Sequence, residues 1–239
     1  MATATGTGTT GKPANRSAAS TTAAAHPGAP RPPLTDRVVG WAKAHKKITG
    51  WTGGILLVGA GLFLWTLSTQ RRTEEIASRD LQGARFAFEN QNLPLAASEL
   101  AKVIANYAET NAAAEARILL ANVRLLEKQP QQAVTVLKDF APGAAQAYRA
   151  QAYGLLGAAY EDMGQPRQAG EAYENGSAAA RLDFLKAQML SDAGRAWTSA
   201  GDTTRAVANY RRIVTEFAKE GMASEAKVRL SELTKGTAS

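Results

Sequence analysis

The stretch AQAYGLLGAAYEDMGQPRQAGEAYENGSAAARLD, residues 150–183, decides the fold. Two runs of good helix formers flank Gly164-Gln165-Pro166, and small residues recur within them at fixed intervals. Sliding the chain against itself extends the pattern to both sides with a period of 36–37 residues. Ala84, Ala121, Gly157 and Gly194 share one phase; Ala96, Ala133, Ala169 and Ala206 share a second, twelve residues on. Leu100, Leu137, Tyr173 and Tyr210 fall at a third, four further, and Ala87, Arg124, Tyr160 and Trp197 at a fourth. A tiny residue in the middle of each helix lets two antiparallel helices approach closely. The Leu or Tyr one turn after the second Ala lies on the same helix face and fills the next layer. One such hairpin cannot bury its own apolar stripe, so neighbours must stack into a solenoid.

The turns carry fitting punctuation in Gln129-Pro130, Gly164-Gln165-Pro166 and Gly201-Asp202. Pro130 and Pro166 share a phase at the start of the second helix, where a missing N–H costs nothing. Met222, Ala226, Leu230 and Leu233 recur at helical spacing, with Glu225, Lys227, Arg229 and Glu232 on other faces, as a terminal capping helix should. Residues 71–239 are therefore expected to form an all-α solenoid of about four helical hairpins plus a capping helix. The competing reading, an Ala-rich bundle without repeats, treats the phased positions as accident.

Ahead of this body lie a tail and an apolar run. Residues 1–33 are almost entirely Thr, Ala, Gly, Ser and Pro, too poor in bulky apolar groups to offset the entropy of ordering. The expected disordered, basic tail covers residues 1–45. Its Gly6-Thr7-Gly8-Thr9-Thr10-Gly11-Lys12 imitates a phosphate-binding loop, but Pro13 stands where a hydroxyl should hold magnesium. From Ile48 to Gln70 there is no charge, and Ile55–Val58 and Leu62–Trp65 dominate the middle. A hydrocarbon core of about 30 Å needs roughly 20 such residues in helix. Residues 46–70 are accordingly expected to be a single transmembrane helix meeting the lipid bilayer through 48–68, with Trp51 and Trp65 near the interfaces. Arg37, Lys43, Lys46 and Lys47 precede the uncharged run; Arg71, Arg72, Arg79 and Arg85 follow, so charge alone leaves orientation nearly open.

Composition closes most routes to chemistry. The 239 residues contain no cysteine, and both histidines, His26 and His45, precede the apolar run. Thiolate chemistry, disulfides and zinc–thiolate sites are excluded, and the body has no imidazole for a triad or a metal. Glu161 and Asp162 are adjacent on a helix and diverge by about 100°, so they do not form an acid/base pair. No enzyme activity, cofactor or metal is expected. Of the net charge of +7, +6 lies in residues 1–47, where seven basic groups meet one acid, and +1 after residue 70, where 21 basic groups meet 20 acidic ones. No nucleic-acid surface follows.

The hairpin pattern resembles the tetratricopeptide repeat, whose unit runs about 34 residues. Tyr153, Leu156, Gly157, Tyr160, Ala169 and Tyr173 stand at its signature positions, as do Leu190, Gly194, Trp197, Ala206 and Tyr210 in the unit near 187–219. The units near 77–110 and 114–147 are degenerate, with Asp80 and Arg117 where an aromatic or Leu is expected. Arg211–Phe217 followed by Ala226–Leu230 resembles repeats of bacterial envelope-assembly proteins. The whole architecture is similar to the ancillary subunit family of the SecYEG translocon. That resemblance implies a bacterial inner-membrane protein with a cytoplasmic N-terminus and a periplasmic repeat domain. Its implied partners are translocon or envelope-assembly components and chaperones.

In tetratricopeptide arrays the first helices line a partner-binding groove. Carried over by position, the resemblance implies a groove of Arg85, Phe88, Asn122, Leu125, Gln151, Ala158, Glu161, Gln188, Arg195 and Thr198. This mixture suits an extended peptide or a helix. A Lys/Asn/Arg clamp for a terminal carboxylate is not matched, since only Asn122 and Arg195 have the right type. The expected role is a membrane-anchored protein–protein adaptor; the alternative is a self-assembling, homo-oligomeric structural subunit.

Overall fold

The computed structural model describes residues 34–44 and 46–235, except the side chains of residues 34, 37, 39, 42 and 46–56. The elements are α1 (Leu34–Ala44), α2 (Lys46–Glu89), α3 (Leu93–Asn106), α4 (Asn111–Leu126), α5 (Pro130–Leu137) and α6 (Phe140–Gly143). They continue with α7 (Gln146–Asp162), α8 (Pro166–Ala179), α9 (Asp183–Ser199), α10 (Thr203–Glu216) and α11 (Met222–Thr234). No strand occurs among the described residues. The chain divides into two units, 1–60 and 61–239.

In the first unit, residues 34–44 fall inside the stretch expected as tail, yet they form α1, with Asp36 in its first turn and Lys43 in its last, as the helix dipole favours. The rest of the tail, residues 1–33 and 45, lies outside the described residues. Among those described, no helix is long and apolar enough to cross a membrane. The expected span 46–70 is helical throughout, but the side chains of its first half lie outside the described set. No proline occurs between Pro33 and Pro94, so nothing breaks α2 on its way into the first hairpin.

In the second unit the expected hairpins form. The C-terminal part of α2 pairs with α3, α4 with α5, α7 with α8, and α9 with α10, and α11 closes the end on α9 and α10. Ala77, Leu81 and Ala84 share one buried cluster with Ala96, Leu100 and Ala116. Ala121, Ala133, Leu137 and Leu156 centre a second, and Tyr173, Leu190, Trp197, Tyr210 and Ile213 a third. The phased positions thus form the core. Where the small partner is Gly, the large one is an aromatic. A Cβ on Gly157 would lie 2.6 Å from the Tyr173 ring, and one on Gly194 2.7 Å from Tyr210. Where it is Ala84 or Ala121, the partner is Leu100 or Leu137. Size is matched across each pair.

The turns form a further phase that composition hides. Gln91, Lys128, Gly164 and Gly201 all have positive φ, of 58°, 60°, 67° and 75°. Glycine adopts that conformation freely and other residues with strain. The next position caps the second helix: Asn92 Oδ1 accepts from Leu95 N at 3.3 Å, and Asp202 Oδ1 from Arg205 N at 3.0 Å. Gln129 and Gln165 make no such bond, and there Pro130 and Pro166 remove one orphan donor instead.

The degenerate units have their own ties. Asp80 accepts from the Tyr107 hydroxyl at 2.8 Å, and the Arg117 guanidinium lies 5.4 Å from the Phe140 ring centre. Glu74 on α2 accepts from the backbone N–H groups of Asn111 and Ala112, both at 2.9 Å, so a side chain of the first helix caps α4. The second hairpin departs from the regular pattern. Its return helix α5 has eight residues, and Pro142 follows within the short α6.

Candidate functional site

The first helices α2, α4, α7 and α9 line one face of the array. Its first cavity, of about 490 Å³, lies between α2, α4 and α7. Phe88, Ile118, Leu119 and Leu155 supply apolar wall, and Asn122 and Gln151 supply amides. Among the described residues neither amide has a hydrogen-bond partner, so each offers a donor and an acceptor to a guest backbone. Arg85 and Glu115 close one side as an ion pair. Both stay substantially exposed, at 46% and 34%, so the pair fixes geometry more than it adds stability. The concavity continues along α2 past Ser78 and Gln82.

A second cavity, of about 470 Å³, lies on α9 and α11 and is lined by Gln188, Asp192, Arg195, Thr198, Tyr210 and Arg229 among others. Its polar groups are mostly engaged with one another. Arg195 donates to Glu161 at 2.6 Å and to Asp192 at 2.9 Å, and Thr198 donates to the Gly194 carbonyl at 2.8 Å. Glu161 also accepts from the buried Tyr173 hydroxyl at 2.8 Å, which ties α7, α8 and α9 together.

The electrostatics follow from these contacts. Burial, then the bond to Glu161, pushes the Tyr173 hydroxyl far above its ordinary range. Burial likewise raises Tyr210, although Arg229 works against the rise. For Arg195 burial opposes the charge, but the hydrogen bond to Asp192 and the carboxylate of Glu161 outweigh it and raise the pKa. These shifts move tyrosine and arginine further from neutrality, locking them as donors instead of preparing proton transfer. No cluster of three or more His, Cys, Asp or Glu that could hold a metal occurs among the described residues.

The predicted groove residues separate accordingly. Arg85, Phe88, Asn122 and Gln151 meet in the first cavity; Gln188, Arg195 and Thr198 meet in the second. Glu161 lines neither and serves as a brace to Arg195. Leu125 packs against the core cluster of the second hairpin, and Ala158 lines neither cavity. Sequence reasoning missed two phases. Ser78 and Glu115 precede Gln151 and Gln188 in one register; Gln82, Leu119, Leu155 and Asp192 form another. The same period of 36–37 residues marks both.

The tetratricopeptide repeat-like domain family matches residues 67–191, just over half of the chain. The chain belongs to that family. No curated protein matches it. Among solved structures, this tetratricopeptide repeat-like chain is similar to the nearly identical TPR-like repeats of a kinesin light chain from Podosopora anserina, with 21% identity and a TM-score of 0.53. A one-residue variant of those repeats gives 20% identity and a TM-score of 0.54. Each comparison covers 69% of this chain and 87% of the other, and it shows the shared fold. Tetratricopeptide repeat-like domains typically mediate protein–protein interaction as non-enzymatic scaffolds, and no catalytic family is indicated.

Proposed function

We propose that this chain is a membrane-anchored adaptor of the bacterial envelope. It recruits translocon or envelope-assembly components, chaperones included, through the inner face of its repeat domain. The observation that carries the binding role is the first cavity, where apolar wall and the unpartnered amides of Asn122 and Gln151 converge. An extended segment is recognised by that combination, since amides satisfy its backbone while the wall takes alternate side chains.

Anchoring through residues 46–70, with tail 1–45 cytoplasmic and domain 71–239 periplasmic, is supported by the uncharged run and by its exposure. Leu62, Phe63, Leu64 and Trp65 are each 55–66% exposed on α2. The hydroxyls of Thr66 and Thr69 donate to carbonyls one turn back, at 2.8 and 3.0 Å, which leaves neither donor unsatisfied in hydrocarbon. Two measurements test the reading. The chain should float with lipid vesicles and resist carbonate extraction. A C-terminal tag should be digested by protease added to spheroplasts; its resistance would overturn the periplasmic assignment. A stable homo-oligomer with no heterologous partner would favour the structural-subunit alternative.

A further inference from the structure

The two ends of the repeat array are finished differently. At the C-terminal end α11 buries Ala223, Ala226 and Leu230 and turns Ser224, Lys227, Val228 and Ser231 outward, a largely polar cap. The other end has no cap among the described residues. There α2 carries Arg72, Ile76, Arg79, Gly83 and Phe86, all exposed, with Ile76 at 49% and Phe86 at 69%. Steps of four and three residues place these five on one stripe, which prolongs the line of Trp65 and Thr69. A Cβ on Gly83 would meet nothing within 4 Å. Among the described residues Arg72 and Arg79 have no ion pair.

We infer that this stripe is the docking face for one helix of a different membrane protein, packed alongside α2. That helix presents apolar residues, with acidic ones about seven positions apart. The inference rests on the anchoring reading above. Arg72 and Arg79 are seven residues apart, the spacing of successive equivalent positions in a helix pair. They hold charge without a partner, while Ile76 and Phe86 hold apolar surface without cover. Gly83 lets a second helix axis come close. A second copy in parallel would set Arg72 and Arg79 against their own counterparts, a repulsive pairing. A lipid surface does not fit, because positions 72–86 extend about 21 Å along the helix beyond the apolar run.

The test uses the full chain in detergent micelles and two synthetic helical peptides. One carries Leu and Glu at the stripe-facing heptad positions; the other carries Lys in place of Glu. Fluorescence anisotropy should show at least tenfold tighter binding of the Glu peptide. The double substitution Arg72→Glu with Arg79→Glu should invert that preference, and Gly83→Trp should weaken both peptides. Lys227→Ala, on the outer face of α11, should leave both unchanged. Equal binding, absence of binding, or failure of the inversion overturns the proposal. A disulfide between copies of a Gly83→Cys chain in vesicles also overturns it, since the native chain offers no competing cysteine. Vesicle flotation is read separately. A chain that fails to float overturns the anchoring and the membrane-protein clause, while the peptide preference decides the docking face itself.

Discussion

Replacing Gly157 by alanine should destabilise the repeat domain, although the same change in an exposed helix stabilises. Two effects of known size oppose each other. Alanine in a helix interior is favoured over glycine by about 1 kcal/mol. Against that, the new methyl would lie 2.6–2.8 Å from three atoms of the Tyr173 ring. Tyr173 is 4% exposed and its hydroxyl is held by Glu161 at 2.8 Å, so the ring cannot swing aside without breaking that bond. Overpacking of this kind costs about 1–3 kcal/mol, and with the alanine gain subtracted the net loss should reach about 2 kcal/mol. For a domain of this size a loss of about 2 kcal/mol lowers the midpoint by about 4–8 °C. The decisive variant is the double substitution Gly157→Ala with Tyr173→Leu, which installs the Ala–Leu pairing that the first two hairpins already use. Thermal and urea unfolding of the four chains should give a favourable coupling of about 1–3 kcal/mol. A Gly157→Ala chain that unfolds at a higher temperature, with no coupling to position 173, would refute the size-matching argument.

Three further outcomes follow from the same geometry. Gln91→Gly and Lys128→Gly relieve positive φ at the first two turns, and each should raise the urea midpoint by the equivalent of about 0.5–1 kcal/mol; lower midpoints would show that those turns are not strained. Because Tyr173 holds its proton more tightly folded than unfolded, its contribution is complete below about pH 10. Above that the unfolded chain releases its proton first, so stability should fall with rising pH, and Tyr173→Phe should flatten the slope in urea titrations from pH 9 to 11. Asn122→Ala together with Gln151→Ala should weaken partner crosslinking from the inner face while leaving the thermal midpoint within about 1 °C, because neither amide bonds to another of the described residues.

The hairpins were legible because each repeat pairs a tiny residue with a bulky one at a constant spacing, and that spacing survives even where the tetratricopeptide signature decays at Asp80 and Arg117. The turn register was harder to read. Gln91 and Lys128 occupy the positions of Gly164 and Gly201, and only their backbone angles reveal the shared phase. Among the groove residues, Arg85, Phe88, Asn122 and Gln151 came together, and the periodicity would also have found Glu115 and Leu119 had their phases been followed.

By itself the sequence determined the all-helical repeat, its period, the position of the capping helix and the absence of thiol and imidazole chemistry from the body, because spacing and composition are local properties. Tertiary structure decided which polar side chains remain available. Glu161 and Arg195 look like ligands of a partner in one dimension, yet they satisfy each other across two hairpins. Arg72 and Arg79 look like ordinary flanking charges, yet among the described residues they stand unpaired on a face that no other element covers. Whether a charge is spent or free depends on what lies across a gap of some 3 Å, and no spacing along a chain records that distance.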